Sequence, residues 1–154
     1  MKKRQIILIS GVANAGKTNT VAMLYRILAA QNLVHEFNGI EVNSSQINGI
    51  VSEFDFNARF TLKNWKTLVL ISRGDGLVDF QTDIKNFCDA DIFVATEQVS
   101  PRKRPIFDYI LNELYPQNFR LALHFNLLRS EDRAETTEMQ TNIVNCIVSV
   151  LSIL

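Results

Sequence analysis

Short apolar runs and helix-like segments alternate along the chain. Residues 5–10 are almost all apolar and β-branched, which predicts a strand buried on both faces. Residues 11–16 form a glycine-containing loop, and good helix formers follow from 17 to about 30, with apolar residues recurring at helical spacing. The chain therefore begins with a predicted strand–loop–helix unit.

The next segments predict a pair of neighbouring strands. Residues 54–62 alternate strictly between apolar and polar side chains, as a half-exposed strand does. A turn at 63–64 separates them from the apolar run 67–72, and this short connection predicts an antiparallel hairpin. Residues 35–50 are rich in Asn, Ser and Gly, so we expect a functional or mobile loop there.

The second half of the chain continues the alternation and predicts the fold class. Helices are predicted at 79–88 and 105–114, and strands at 91–96 and 119–125. We expect an α/β fold in three layers, with a mostly parallel sheet of five to six strands, one antiparallel hairpin strand, and helices on both faces. The chain has no internal repeat and no linker, so residues 1–154 are expected to form a single domain.

The last predicted helix has two different sides. Ser130 can cap it, and Glu131 and Asp132 favour its positive end. One side carries a polar stripe and the other a row of aliphatic residues, which predicts a helix packed on the sheet. Two alternatives remain open at this stage: a contact with a second copy of the chain, giving a homo-oligomer, or a helix that belongs to a longer chain.

One segment carries most of the functional information. Residues 11–18 read Gly-Val-Ala-Asn-Ala-Gly-Lys-Thr and match G-x-x-x-x-G-K-[ST] at every fixed position; we call this segment the glycine loop. It follows a buried strand and precedes a helix, which is the context that the pattern requires. Glycines let backbone N–H groups turn inward at the positive end of the helix and bind an anion. Lys17 would then reach the β- and γ-phosphates of a nucleotide, and the Thr18 hydroxyl would bind Mg²⁺.

The stretch 6–20 resembles the P-loop NTPase superfamily. The order of elements through residue 72 is similar to that of Ras-like GTPases, in which an antiparallel strand pair follows the first helix. Around 73–75, 95–96 and Arg102 the chain also loosely resembles small bacterial P-loop proteins. The resemblance implies a P-loop nucleotide-binding domain. It implies nucleotide contacts from Gly11, Asn14, Ala15, Gly16, Lys17, Thr18 and Asn19.

The chain departs from the Ras-like pattern in two places. Ras-like proteins carry a metal-linked Asp at the end of the third strand, whereas the first acid here is Asp75, three residues after Ser72. Asp75 is either the acidic metal ligand that acts with Thr18 or a turn residue between two glycines, and Asp55 is a weaker candidate. The guanine-reading N-K-x-D element is absent after Asn126, so we expect ATP, with GTP the less favoured nucleotide.

Cationic side chains follow two of the predicted strands. Because ligands bind at the carboxyl ends of parallel strands, Arg73, Arg102 and Arg104 are candidate catalytic residues that would act on a phosphoryl group together with Lys17 and Asp75. The alternative is that these arginines lie in solvated loops without a ligand.

Three further polar side chains lie within or directly after predicted strands. Glu97 and Gln98 are candidates for orienting a water molecule, and His124, within a predicted strand, is interpreted as a structural histidine. The spacing of acids, histidines and serines predicts no catalytic triad and no metal-ligand cluster.

The sequence leaves two alternative functions, one of an enzyme and one of a switch module. The first is an Mg-ATP-dependent phosphotransferase or ATPase that acts on a small-molecule or protein acceptor, and this is the function we favour. The second is a nucleotide-gated switch module with little turnover, in which the 35–50 loop or the exposed hairpin edge contacts a partner.

Composition and charge exclude some classes of protein and predict a cellular compartment. Sixteen basic residues balance sixteen acidic ones in 154 residues, which argues against non-specific binding of nucleic acid, and the 47% hydrophobic content argues against disorder. Cys88 and Cys146 are expected to be small buried residues in a reducing compartment. No apolar run has the length of a signal peptide core or a membrane span, so we expect a cytoplasmic protein without membrane contact.

Overall fold

The computed structural model describes residues 2–13, 15–30, 34–42, 56–72 and 76–154, with the backbone alone for 34–42. The strands are β1 (Arg4–Gly11), β2 (Val34–Val42), β3 (Phe56–Leu62), β4 (Thr67–Ile71), β5 (Ile92–Gln98) and β6 (Phe119–Leu127). The helices are α1 (Lys17–Ala30), α2 (Leu77–Asn86), α3 (Pro105–Tyr109) and α4 (Arg133–Leu151). The architecture is α/β, as the alternation of patterns predicts.

The strands form one sheet in the order β2-β3-β4-β5-β1-β6. Strands β4, β5, β1 and β6 are parallel, while β3 is antiparallel to both of its neighbours. The predicted hairpin is therefore confirmed, and the sheet is mostly parallel. β5 lies between β4 and β1, so the strand that ends the hairpin is not a neighbour of the strand that leads into the glycine loop.

The loop prediction for residues 35–50 is wrong in its first half. Strand β2 covers Val34–Val42 and pairs with β3, and its register shifts between Phe37 and Gly39. A bulge of this kind accommodates Asn and Gly inside a strand, because the extra residue is left out of the ladder. Residues 43–50 lie outside the described part of the chain.

Helices cover both faces of the sheet. On one face, apolar side chains of α1 and α4, such as Leu24 and Ile147, share one buried cluster with residues of the sheet such as Ile7. On the other face, a second cluster joins α2 and α3 to the sheet through residues such as Phe80, which lies edge-on to Tyr109. The aliphatic row of α4 thus packs inside the protein, in agreement with the sheet-packed interpretation.

The structure differs from three local predictions. The cap of α4 is Asp132, whose carboxylate accepts hydrogen bonds from the N–H groups of Ala134 and Glu135, because Ser130 instead supports the turn by accepting from the N–H of Asp132. The helix predicted at 105–114 is α-helical through Tyr109 and then continues as a π turn and a 3-10 turn to Gln117. Cys88 is exposed, because it lies just after α2 in the turn that precedes β5.

The amino end of β1 carries a partly buried cation. The Arg4 guanidinium donates to the carbonyl oxygens of Ala90 (2.8 Å) and Phe87 (2.9 Å). It also lies over the rings of Phe93 and Phe119, at 5.2 Å and 4.5 Å from the ring centroids. Burial lowers the pKa of Arg4 from its ordinary value, although nearby acidic groups oppose the shift. Arg4 therefore fastens the turn before β5 to the start of β1.

Candidate functional site

The glycine loop leaves the carboxyl end of β1 between two parallel neighbours. Gly11 is the last residue of β1, in register with Gln98 of β5 and Leu127 of β6. A Cβ atom at Gly11 would lie 2.9 Å from the carbonyl oxygen of Leu127 and 3.1 Å from the Cβ of Ala15. Position 11 therefore has no room for a side chain unless the backbone moves.

The second glycine is constrained by its backbone and by α4. Gly16 has a φ of +95°, a conformation that L side chains rarely adopt. A Cβ at this position would lie 2.6 Å from Nε2 of Gln140. That amide nitrogen donates to the carbonyl oxygen of Gly16 at 3.0 Å, and Thr20 donates to the same oxygen from both its N–H and its hydroxyl. Helix α4 thus supports the loop directly.

Positive charge is concentrated at the start of α1. The Lys17 ammonium donates to the carbonyl oxygens of Gly11 at 3.0 Å and Val12 at 2.8 Å, so it lies against the glycine loop. Because α1 begins at Lys17, the backbone N–H groups of its first turn point out of the amino-terminal end of the helix, beside the glycine loop. These N–H groups, the helix dipole and the ammonium together favour an anion at this position.

The other predicted contact residues divide into two groups. Thr18 and Asn19 lie in the first turn of α1, the former half-buried and the latter exposed, and Ala15 is buried within the loop. The predicted contact Asn14, the candidate cation Arg73 and the candidate acids Asp55 and Asp75 lie outside the described residues. Among the residues that are described, no three His, Cys, Asp or Glu side chains are grouped so that they could hold a metal ion.

A segment of basic residues lies next to the glycine loop. Residues 99–104, here called the basic loop, follow β5, and the N–H of Val99 donates to the carbonyl oxygen of Gly11 at 3.0 Å. The backbones of Ser100 and Lys103 bond to each other and close a turn. Arg102 and Arg104 are exposed, and neither has an ion-pair partner within the described ranges. Both arginines therefore lie at the sheet edge predicted from the sequence.

A buried polar network lies directly beneath the two loops. Ser10, Glu97 and His124 come from the adjacent strands β1, β5 and β6; Ser10 and Glu97 are fully buried. The Ser10 hydroxyl is 3.1 Å from Oε2 of Glu97 and 2.8 Å from Nε2 of His124. Oε1 of Glu97 accepts from the N–H groups of Ile106 (2.7 Å) and Phe107 (3.1 Å). We refer to these side chains as the Ser10–Glu97–His124 network.

The contacts of the network test the roles predicted for Glu97 and His124. Both oxygens of Glu97 accept hydrogen bonds from protein groups, so the prediction that Glu97 orients a water molecule does not fit its position; Gln98 is exposed. His124 stacks on the ring of Phe107 with 4.9 Å between ring centroids, in keeping with a structural histidine. Burial, and then the positive charge of Arg104, lower the pKa of His124 below its ordinary value.

A polar cleft of about 450 Å³ lies on the other side of the glycine loop. One wall is formed by Gly16, just before α1, and by Asn19 in its first turn. The other is formed by the turn before α4 and the start of that helix, and it is lined by Ser130, Glu131, Arg133, Thr136, Thr137 and Gln140. Since the cleft begins at Gly16, a molecule with an anionic group bound at the start of α1 can extend its remaining atoms into it.

Sequence reasoning missed two residues of this region. Ser10 lies inside an apolar run, and the polar residue at the end of a buried strand was the available signal. Gln140 is buried on α4. Its sequence signal was a polar residue at helical spacing from the aliphatic residues Ile143, Val144 and Ile147. The partners of both residues are far away in the chain, so the sequence did not indicate what they bind.

Comparison with protein-family models, with curated proteins and with solved structures gave no match for the chain. The helices in the described ranges are each too short or too polar for a membrane span.

Proposed function

We propose that this chain is a P-loop nucleotide-binding protein of the P-loop NTPase superfamily and acts as an Mg-ATP-dependent phosphotransferase or ATPase. The observation that carries the proposal is the position of Lys17, whose ammonium lies against the Gly11 and Val12 carbonyls at the N-terminus of α1. A cation and a helix N-terminus that meet around a glycine loop favour a polyphosphate, which carries several negative charges in a row.

The described residues fit a nucleotide phosphate. Gly11 and Gly16 exclude side chains from the loop, so the backbone can approach an oxygen atom closely. The carbonyl partners of Lys17 belong to the loop itself, and a phosphate can replace them without disturbing another element. Among the proposed nucleotide contacts, Gly16, Lys17, Thr18 and Asn19 lie at the start of α1, beside Ala15.

Magnesium would be held mainly by the nucleotide. Mg²⁺ usually binds through one or two protein oxygens together with phosphate oxygens and water, and the Thr18 hydroxyl in the first turn of α1 is the proposed protein ligand. Asp75 is the proposed acidic ligand. When bound, the ion would neutralise charge on the phosphates and hold them in a fixed orientation.

ATP is the proposed nucleotide. The cleft between α1 and α4 is lined by amides, hydroxyls and the charged residues Glu131 and Arg133, and its amides and hydroxyls can bind a ribose and the edge of a base. The segment after β6 reads Asn126-Leu-Leu-Arg129 and lacks the acid that would accept two hydrogen bonds from guanine. We therefore expect GTP to bind no more tightly than ATP.

Transfer of the phosphoryl group would depend on the basic loop. Arg102 and Arg104 are exposed at the edge that carries Lys17, and Arg73 follows the strand beyond β5. In this proposal the arginines stabilise negative charge on the transferring group, which is the main task of protein groups in such reactions. The acceptor is water, a small molecule or a protein.

The alternative, a nucleotide-gated switch module, is favoured by one specific contact. Gln140 of α4 donates to the carbonyl oxygen of Gly16, so a change in the glycine loop on nucleotide binding reaches α4 directly. A partner or a second copy that contacts the exposed polar side of α4 would detect that change.

Nucleotide binding is tested by calorimetry on the whole chain with Mg-ATP. Lys17→Ala removes a charged donor from the phosphates, so we expect affinity to fall about 10- to 100-fold. Lys85→Ala, which removes an exposed lysine on α2, is the matched control and should bind as the parent does. Equal affinity of the parent and Lys17→Ala would refute the phosphate site.

The rate of phosphate release from Mg-ATP distinguishes the proposed enzyme from the proposed switch module. If the basic loop stabilises the transition state, Arg102→Ala or Arg104→Ala should slow turnover by up to about 10³-fold, far more than the roughly fivefold loss expected in affinity for Mg-ATP. An exposed charge without that role is worth less than about 1 kcal/mol. Turnover within a few-fold of the parent in both variants would reject the enzymatic role of the loop, and a parent without turnover would favour the switch module.

A further inference from the structure

The Ser10–Glu97–His124 network contributes to no step of the proposed function, yet it lies under both functional loops. Glu97 spans two elements, because its Oε1 atom receives the first N–H groups of the helix that follows the basic loop and its Oε2 atom receives the hydroxyl of Ser10. Ser10 directly precedes Gly11. A single carboxylate therefore connects the start of α3 to the strand that ends in the glycine loop.

The basic loop is consequently fixed to β1 at both of its ends. At its beginning, the N–H of Val99 donates to the carbonyl oxygen of Gly11. At its end, Ile106 and Phe107 donate to Glu97, which in turn accepts from Ser10. Both connections end on consecutive residues of β1, positions 10 and 11. The side chains of Arg102 and Arg104 lie between these two attachments.

The hydrogen positions in the network follow from counting donors. When Glu97 is ionised, its carboxylate only accepts hydrogen bonds, and the single hydroxyl hydrogen of Ser10 then points to Glu97. The Ser10 oxygen can then only accept from Nε2 of His124, 2.8 Å away. The network therefore requires neutral His124 to carry its hydrogen on Nε2, which is a property that can be measured.

We propose that Glu97, acting through Ser10, is a positioning residue that holds the basic loop against the end of β1. Resting on the proposed function, the inference adds that this attachment sets Arg102 and Arg104 for the nucleotide phosphates. Glu97 touches neither the nucleotide nor the reacting atoms, and its effect passes through the backbone of the basic loop.

The first experiment needs no ligand. In Glu97→Gln the side-chain oxygen keeps the two N–H donors of α3, so the amide nitrogen faces Ser10 and donates to it. The Ser10 hydroxyl must then donate to His124, and the imidazole hydrogen moves to Nδ1. Nitrogen NMR of ¹⁵N-histidine protein, above the pKa of the ring, should show the Nε2–H tautomer in the parent and the Nδ1–H tautomer in Glu97→Gln.

The assignment in that experiment is simple because the chain has two histidines, and His124→Gln leaves only the signals of His35. A parent with the Nδ1–H tautomer, or the same tautomer in both proteins, would overturn the proposed role of Glu97 in ordering the network.

The second experiment is a double-mutant cycle on the affinity for Mg-ATP. Ser10→Ala cuts the connection to β1 but leaves the start of α3 bonded to Glu97, so the fold is retained. We expect it to weaken binding about fivefold in the parent and not at all in the Arg102→Ala/Arg104→Ala background. Thr96→Val is the matched control: it removes a buried hydroxyl on β5 that donates to Ser72, outside the network, and its effect should be the same in both backgrounds.

The two proposals fail in different ways. Equal losses from Ser10→Ala in both backgrounds would overturn the positioning role while the nucleotide site stands. A parent that does not bind Mg-ATP, or that binds no better than Lys17→Ala, would overturn the proposed function. It would also overturn the part of the inference that concerns the phosphates, and the tautomer result would then decide the role of Glu97 in the network alone.

Discussion

The two ends of β1 each hold a cation that donates to two backbone carbonyls, but the origin of those carbonyls differs. The partners of Arg4 are Phe87 and Ala90, more than 80 residues away in the chain. Two carbonyl acceptors of Lys17, Gly11 and Val12, lie within six residues of it. Arg4 therefore joins distant parts of the fold, whereas these two hydrogen bonds of Lys17 stay within the glycine loop. A cation of the second kind can exchange its carbonyls for a ligand without loss of the fold.

The surroundings of Arg4 and Lys17 differ in the same sense as their hydrogen bonds. Arg4 lies over two phenylalanine rings, so its removal exposes apolar surface and leaves two carbonyls without their donors. Lys17 lies at the start of α1, where neighbouring N–H groups increase the positive potential. The contacts at the amino end of β1 stabilise the fold, whereas those at the carboxyl end are the ones proposed to bind a negatively charged ligand.

The largest expected effect tests the amino end. Arg4→Ala should lower the free energy of unfolding by about 2–4 kcal/mol, because two carbonyls and two aromatic rings lose their partner. Denaturant unfolding measures this loss, and Lys3→Ala, an exposed neighbour, is the control. Affinity for Mg-ATP should stay at the parent value. A loss of affinity larger than that of Lys17→Ala would break the division between the two ends.

A smaller effect is expected where the carboxyl end meets α4. Gly16→Ala introduces a side chain at a φ of +95° and towards Gln140, so we expect a loss of about 1–3 kcal/mol in the free energy of unfolding. Gly76→Ala is the matched control, because φ there is 177° and a Cβ would meet nothing within 4 Å. Equal stability of the two variants would show that the loop is not held as tightly as the contacts indicate.

The smallest effect concerns pH. Because the pKa of His124 is lowered in the folded protein, the unfolded chain binds a proton at pH values where the folded protein does not. Stability should therefore decrease as pH falls from about 7.5 through the ordinary histidine value of about 6.5. His124→Gln should reduce this dependence, as measured by thermal unfolding at several pH values. An unchanged pH dependence in the variant would remove His124 as its source.

Sequence patterns predicted most elements because these depend on local periodicity. The buried strands β1, β4 and β5 were evident from apolar runs, and the alternation in β3 predicted the hairpin. Strand β2 was missed because an edge strand is held by backbone hydrogen bonds, and its Asn and Gly residues have the composition of a loop. The sheet order was not predictable, since placing β5 between β1 and β4 depends on pairings between distant segments.

In the candidate site, too, the sequence predicted the parts that depend on local patterns and missed those that depend on long-range contacts. The glycine loop is a local pattern, and the position of the basic loop followed from the rule on carboxyl ends of strands. Ser10 and Gln140 were not predictable, because their partners are 87, 114 and 124 residues away. Contacts of that range are set by the packing of whole elements, which no short pattern records.

The contact between Gln140 and Gly16 has a consequence for synthesis of the protein. The glycine loop leaves the ribosome before the residues that contact it, Leu127 and Gln140, because these lie more than 100 residues further along the chain. A nascent chain that ends before α4 therefore has the complete loop sequence without its supporting contacts. The proposed phosphate binding should consequently appear only after α4 has been made, when all six strands of the sheet are already present.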